Sequence, residues 1–282
     1  MPGSWTYSAS LIGTSIHIEH VADDEPENPQ PYWHVQHMLV AELDVSVGRG
    51  LRPGLGLFAR IPVRVVRDRV RYEDLSRLPY EPPNPGRHHR NETLSGLADP
   101  QIYLHAGREA GAWQLGAKAG VSIPLGATEP NPFALGRLGQ THQHVQFGTG
   151  TWDPVFEAGV GHPLGPLHLR VTGIARLAFS QNEHGYEAGD RFAVLVDASH
   201  WPGQTWGFDT GLGLLREEAE RWDGHIEHEG NLGRTDVLLS LGVTRAATSI
   251  GTIHGGVQIS LHSHTHGEQM EIPLIVRFGW SP

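Results

Sequence analysis

Apolar and polar residues alternate with a period of two along most of this chain. Residues 111–126 show it most plainly: Trp113, Leu115, Ala117, Ala119, Val121, Ile123 and Leu125 share one face, and Gln114, Lys118 and Ser122 lie on the other. Residues 33–47 set Trp33, Val35, Leu39, Ala41, Leu43, Val45 and Val47 against His34, Gln36, Met38, Val40, Glu42, Asp44 and Ser46. The pattern returns in 55–66, 167–180, 192–198, 206–214, 237–243, 253–262 and 272–280. Weaker versions at 5–18, 100–106 and 152–160 bring the expected strands to about twelve, long enough to cross a bilayer. The first strand changes phase near Gly13, which reads as a bulge.

Period two alone does not say whether the apolar face meets a protein core or lipid. The connections do. Along the chain they alternate between short Gly- and Pro-containing turns, such as 48–53 and 161–166, and long polar segments, such as 19–31, 67–98 and 126–145. A transmembrane barrel sorts its loops this way, with short periplasmic turns and long external loops. Trp5, Trp113, Trp206, Phe208, Phe278 and Trp280 fall beside short turns, and Trp33, Trp152, Phe179 and Phe192 beside long ones. Two aromatic girdles at the two membrane interfaces explain that placement. The expected fold is all-β: one closed antiparallel transmembrane barrel of about twelve strands over residues 1–282. The 67–98 segment is the expected plug or gate.

Composition narrows the function. No stretch of roughly 20 apolar residues is present, which excludes a helical membrane protein but not a barrel. The net charge of −10 argues against a nucleic-acid partner. There is no cysteine, hence no disulfide, thiolate metal site or cysteine nucleophile. No export signal is visible in "MPGSWTYSAS", so an exported protein is written here in mature form with an added methionine. Location in a bacterial outer membrane, with the lipid bilayer and a small-molecule solute as partners, follows from the barrel. The oligomeric state is left open.

Several segments resemble the outer-membrane barrel transporters of the meta-pathway of phenol degradation. They are "GRGLRPGLGLFARIPVRVV" (48–66), "SGLADPQIYLHA" (95–106, with Ala98 where glycine is usual), "AGVSIPLG" (119–126), "FGTGTWDPVFEAGVGHPLG" (147–165), "GYEAGDRFAVLVDASH" (185–200) and "IPLIVRFGW" (272–280). The resemblance implies an even-stranded barrel that moves small, often hydrophobic or aromatic, molecules. It implies no catalytic residues.

The inward rows supply a charged lumen: Arg60, Arg64, Lys118, Arg170, Arg176, Arg191 and Arg277 against Glu42, Asp44, Glu157, Asp197, Asp209 and Asp236. These residues either line a selective pore or lock into networks that hold the wall. The second functional reading uses the 19 histidines. In "HSHTHGEQMEI", His262, His264 and His266 fall at alternate positions roughly 6.6–6.8 Å apart, a spacing that one Zn, Cu or Ni ion can bridge. If the strand continues in phase they share the lumen mouth with Glu271, and barrel closure brings His20 and His34 near. No enzyme is expected. Asp197, Ser199 and His200 come closest to a catalytic set, but adjacent strand residues point to opposite faces.

Overall fold

The structure is a computed structural model that describes residues 3–22, 30–83, 85, 90–247, 251–267 and 269–282. Sixteen strands and one short helix follow in order. They are β1 (Trp5–Ala22), β2 (Tyr32–Arg52), β3 (Leu55–Glu73), β4 (Glu92–Leu97), β5 (Gln101–Ala110), β6 (Trp113–Ser122) and α1 (Pro132–Arg137). Then come β7 (Asp153–Leu164), β8 (Leu167–Arg176), β9 (Tyr186–Glu187), β10 (Arg191–His200), β11 (Trp206–Glu217) and β12 (Arg221–Trp222). The chain ends with β13 (Arg234–Ala247), β14 (Gly251–Thr265), β15 (Gln269–Glu271) and β16 (Leu274–Ser281).

Neighbouring wall strands pair antiparallel, and β1 closes the ring by pairing with β2 on one side and with β15 and β16 on the other. Two wall positions are each filled by a broken strand. β4 and β5 both pair with β3, and β15 and β16 both pair with β1. Proline explains each break, because Pro100 and Pro273 have no N–H to give to a ladder. Counted this way the wall has twelve strands, as the sequence predicts, and β9 and β12 form a separate two-stranded ribbon. Closure pairs both edges of the ring's long strands, a requirement inside lipid, while the short β4 and β15 each pair along one edge.

Register fixes which face each residue takes. Leu11, Leu43 and Val63 lie side by side across β1, β2 and β3, and all three are exposed on the outer surface. Ser10 and Asp44, one position away, point into the lumen. The exposed apolar side chains continue round the ring through Leu104, Leu115, Phe156, Val171, Val194, Leu212, Leu241 and Ile253. A water-soluble protein would not leave such a band uncovered, so this is a lipid-facing surface. Leu43→Arg is therefore expected to destabilise the barrel by about 2–4 kcal/mol. Urea-dependent folding into vesicles of wild type and variant measures that difference.

Short turns at 53–54, 111–112, 165–166 and 201–205 gather at one end, and long connections at the other. Trp5, Trp113, Trp206, Phe278 and Trp280 are exposed at the short-turn end, and Trp152, Phe179 and Phe192 at the long-loop end. Trp33 belongs to the same outer girdle but is covered by the Arg77 guanidinium, 3.8 Å from its ring.

Two expectations are corrected. β1 has no bulge at Gly13: its pairing with β2 runs unbroken from Trp5–Arg49 to Ala22–Tyr32. The phase change is instead a real change of surface, because Ile12, Ile16 and Ile18 are apolar side chains that face the lumen. The segment 67–98, the expected plug, contributes no described residue to the lining of the cavity in the bore. β3 extends through Glu73 and β4 starts at Glu92, while Pro79 bridges back to Glu73 and the Tyr80 N–H donates to the Tyr72 carbonyl, folding the chain onto its own rim. Residues 84 and 86–89 at its centre lie outside the described residues. Among the described residues, the segments 123–152, 177–190 and 218–233 supply residues to the lining of that cavity.

Candidate functional site: a capped apolar cavity in the lumen

The upper lumen is lined on one side by an apolar patch. Even-numbered residues of β1, β2 and β3 point inward, so Ile16, Ile18, Met38, Val40 and Val66 meet there with Met270 of β15. The segment 123–152 lays Val145 and Phe147 against them. Facing them is a second cluster in which Phe133 of α1, Tyr186 of β9 and Trp222 of β12 pack together. α1 starts at Asn131, whose side chain accepts from the Ala134 N–H at 3.0 Å and donates to Asp223 at 2.7 Å, tying the helix to the β12 loop. Between the wall and these loops lies a cavity of about 450 Å³.

A buried polar latch holds the cap. Asp99 turns inward at the β4–β5 break and accepts from the Gly126 N–H at 2.9 Å and the Thr149 N–H at 2.7 Å, gripping both ends of the cap. Those ends cross so closely that a Cβ on Gly126 would stand 2.7 Å from the Gly148 backbone, so only glycine fits. Asp153, fully buried, accepts from the Thr149 and Thr151 hydroxyls at 2.8 and 2.6 Å and from Arg176 at 2.6 Å. Arg176, predicted from sequence to line the pore, instead clamps the cap.

Glu220 lines the cavity from the loop side. Burial pushes its carboxyl above the ordinary range, against the opposing effect of the Trp222 indole N–H and the Asn231 N–H, which donate to it. Glu217 nearby adds to the upward push and Arg191 counters it. A carboxyl whose folded value is raised binds protons more tightly in the closed state. Its contribution therefore falls as pH climbs from the unfolded value through the folded one. As pH rises above the ordinary carboxylate range the loop carrying Trp222 should loosen, and Glu220→Gln should remove that pH dependence. Hydrogen exchange at the Trp222 amide, which donates to the His225 carbonyl, measures it.

From the lower lining of the cavity, where Glu42 and Arg64 stand, the bore turns polar. Arg60 bonds Asp44 and Glu42 at 2.8–2.9 Å, and Arg64 bonds Glu42 at 2.6 Å, so these four predicted residues form one ladder along the wall. Lys118 pairs with Glu157 at 2.8 Å, Asp236 with Arg234 at 2.7 Å, and Asp209 with His254 at 3.3 Å. Arg170 and Asp197 are cross-strand neighbours on the inner face, and Arg277 points inward opposite Ile12 and Gly256. All eleven predicted pore residues are inward-facing by register. Arg60, Arg64, Glu42, Asp44, Lys118 and Asp236 are bound into wall networks, while Arg170 and Arg277 have no ion-pair partner among the described residues. The bore also carries an aromatic surface that the sequence reading missed. Phe58 and Tyr103 stack at 5.6 Å with an interplanar angle of 8°, and the Lys118 amine stands 5.5 Å from the Tyr103 ring.

The predicted histidine mouth is not assembled. β14 takes an extra residue at Leu261, so Val237 pairs with His262 while Leu238 pairs with Ser260. That shift turns Ser263 inward, where its hydroxyl donates to Asp236 at 2.7 Å, and sends His262 and His264 outward. His266 is exposed and receives a hydrogen bond from Arg216 at 2.7 Å, which sets a fixed cation where a metal ion would have to sit. Glu271 pairs with His17 on the outer face. His34 is buried on the inner face, its ring 4.8 Å from His20 and 4.8 Å from Tyr32. Among the described residues no three His, Cys, Asp or Glu side chains are grouped to hold a metal ion. Ser199 and His200 take opposite faces, as their adjacency requires, and the His200 ring meets the Pro166 carbonyl at 2.9 Å.

No family model matches the sequence, and no curated protein matches it by sequence. Solved structures do match by shape. An outer membrane channel from Pseudomonas putida F1 superposes with a TM-score of 0.65 at 14% identity, over 100% of this chain and 97% of the other. A monoaromatic hydrocarbon channel, the deltaS2S3 mutant of TodX, gives 0.51 at 7% identity, over 100% of this chain and 91% of the other. At these identities the likeness speaks for architecture. The chain has the fold of the outer-membrane β-barrel channels.

Proposed function

We propose that the protein is an outer-membrane channel that captures small, uncharged, apolar or aromatic molecules from the external side and passes them down the bore. The observation that carries this reading is the apolar cavity itself. A lumen filled with water and ions has no physical reason to set Ile16, Ile18, Met38, Val40 and Val66 inward, because exposed apolar surface costs about 25 cal/mol per Å². About 450 Å³ falls within the range of small-molecule sites. The cations on its lining support an uncharged cargo, since Arg64, Arg191 and Arg234 are already paired with Glu42, Glu217 and Asp236. The Phe58–Tyr103 stack lower down offers a flat ring surface on the way out. The structural likeness to a monoaromatic hydrocarbon channel agrees with this cargo class.

Trp222 lines the cavity and reports occupancy. With the protein in lipid nanodiscs, bromobenzene should quench wild type with a saturable component that Trp222→Phe removes. Quenching that rises only linearly with probe, the signature of partition into lipid, would overturn the assignment of the cavity as a binding site.

A further inference from the structure

The outer surface changes character where its apolar band ends on the long-strand side. On β3 the lipid-facing row Ile61, Val63, Val65 gives way to Arg67, Arg69 and Arg71. In register beside it, β2 follows Leu39 with His37, and β1 sets His17 next to His37 with the rings 4.4 Å apart. Across the closure, β14 follows Leu261 with the outward His262 and His264, and β11 follows Leu214 with Arg216. Each is among the first three polar outward positions above the apolar run of its strand. On the opposite side of the barrel, by contrast, the outward rows end at the long-loop side in Ile102, Val121, Pro154, Ala175 and Phe192, none of them a cation.

The acidic residues of this rim are mostly engaged. Glu73 pairs with Arg71 and Arg77, Glu19 with Arg77, and Glu218 with Arg216. Glu271 lies opposite His17. Arg67 and Arg69 have no carboxylate within ion-pair distance among the described residues, and both are exposed. The histidine run that forms no metal site therefore belongs to a one-sided belt of guanidinium and imidazole donors at headgroup height.

We propose that this belt seats the phosphate groups of the glycolipid that forms the outer leaflet. The inference rests on the outer-membrane reading of the barrel, but not on the cargo. Guanidinium groups bind phosphate through paired N–H donors, and an imidazole N–H donates in either protonation state. Their height matches the membrane interface, where a phosphorylated headgroup is the anionic chemistry within reach.

Native mass spectrometry of the full chain released from detergent tests it, with bisphosphorylated lipid A and the same lipid stripped of phosphate as probes. The phosphorylated form should be retained preferentially. The double variant Arg67→Ser/Arg69→Ser should lose about tenfold or more of that retention. Arg245→Ser, at the short-turn end beside Trp206, should change nothing. Heat-dependent gel mobility confirms that each variant is a folded barrel. Equal retention of both lipids, full retention by the double variant, or displacement by millimolar inorganic phosphate would overturn the proposal. Loss of bromobenzene binding without loss of lipid A retention would instead count against the cargo reading alone.

Discussion

Replacing Asp153 by Ala should release the cap while leaving the wall closed. Asp153 is buried and receives the Arg176 guanidinium and two threonine hydroxyls. Removing one partner of a buried ion pair costs about 3–5 kcal/mol, because the other charge is left uncompensated. That penalty falls on the latch, since the β6–β7 and β7–β8 ladders below it keep their pairing. The Phe147 and Gly148 amides, both donated to the Ala127 carbonyl, report cap opening. Their hydrogen exchange should accelerate about a hundredfold or more, and single-channel conductance should rise as the upper lumen floods. Asp99→Ala should act in the same direction through the Gly126 and Thr149 amides. Unchanged exchange in both variants would show that the cap is held by its apolar contacts alone.

The second large effect is expected from filling the cavity. Val40 sits partly exposed on the cavity wall, so Val40→Trp can project into open space instead of forcing apart a packed core. Uptake of labelled toluene by intact cells carrying the variant should fall about tenfold or more, since a site of this size cannot hold both an indole and a cargo ring. The Arg60–Asp44 pair lies deeper on the same strands, beyond the cavity lining, so ionic conductance should stay at the wild-type level. A parallel fall in both would mean that Val40→Trp damages the barrel generally.

The wall was legible in the sequence because every strand is judged twice, by lipid outside and by water inside, and both environments enforce period two. Loop parity then distinguished a membrane barrel from a soluble one. The site was less legible for the same reason. Met38 and Val40 stand in the inward row of β2 beside Glu42 and Asp44, and read as noise in a polar face. In β1 the inward Ile12, Ile16 and Ile18 looked like a slipped register. Both were the cavity. The histidines failed by the opposite route: one extra residue at Leu261 reverses the face of everything after it, and nothing in "ISLHSHTH" marks the bulge. The latch joins Asp99, Thr149, Asp153 and Arg176 across breaks in chain order, which alternation does not encode.

The most direct test compares uptake of labelled toluene and labelled benzoate by intact Gram-negative cells, with and without the protein. The glycolipid leaflet slows both compounds in its absence. A capped apolar cavity with its cations already paired predicts a clear rise in toluene uptake and none in benzoate. Equal acceleration of the two, or of benzoate alone, would contradict it and assign transport to the charged rows of the bore.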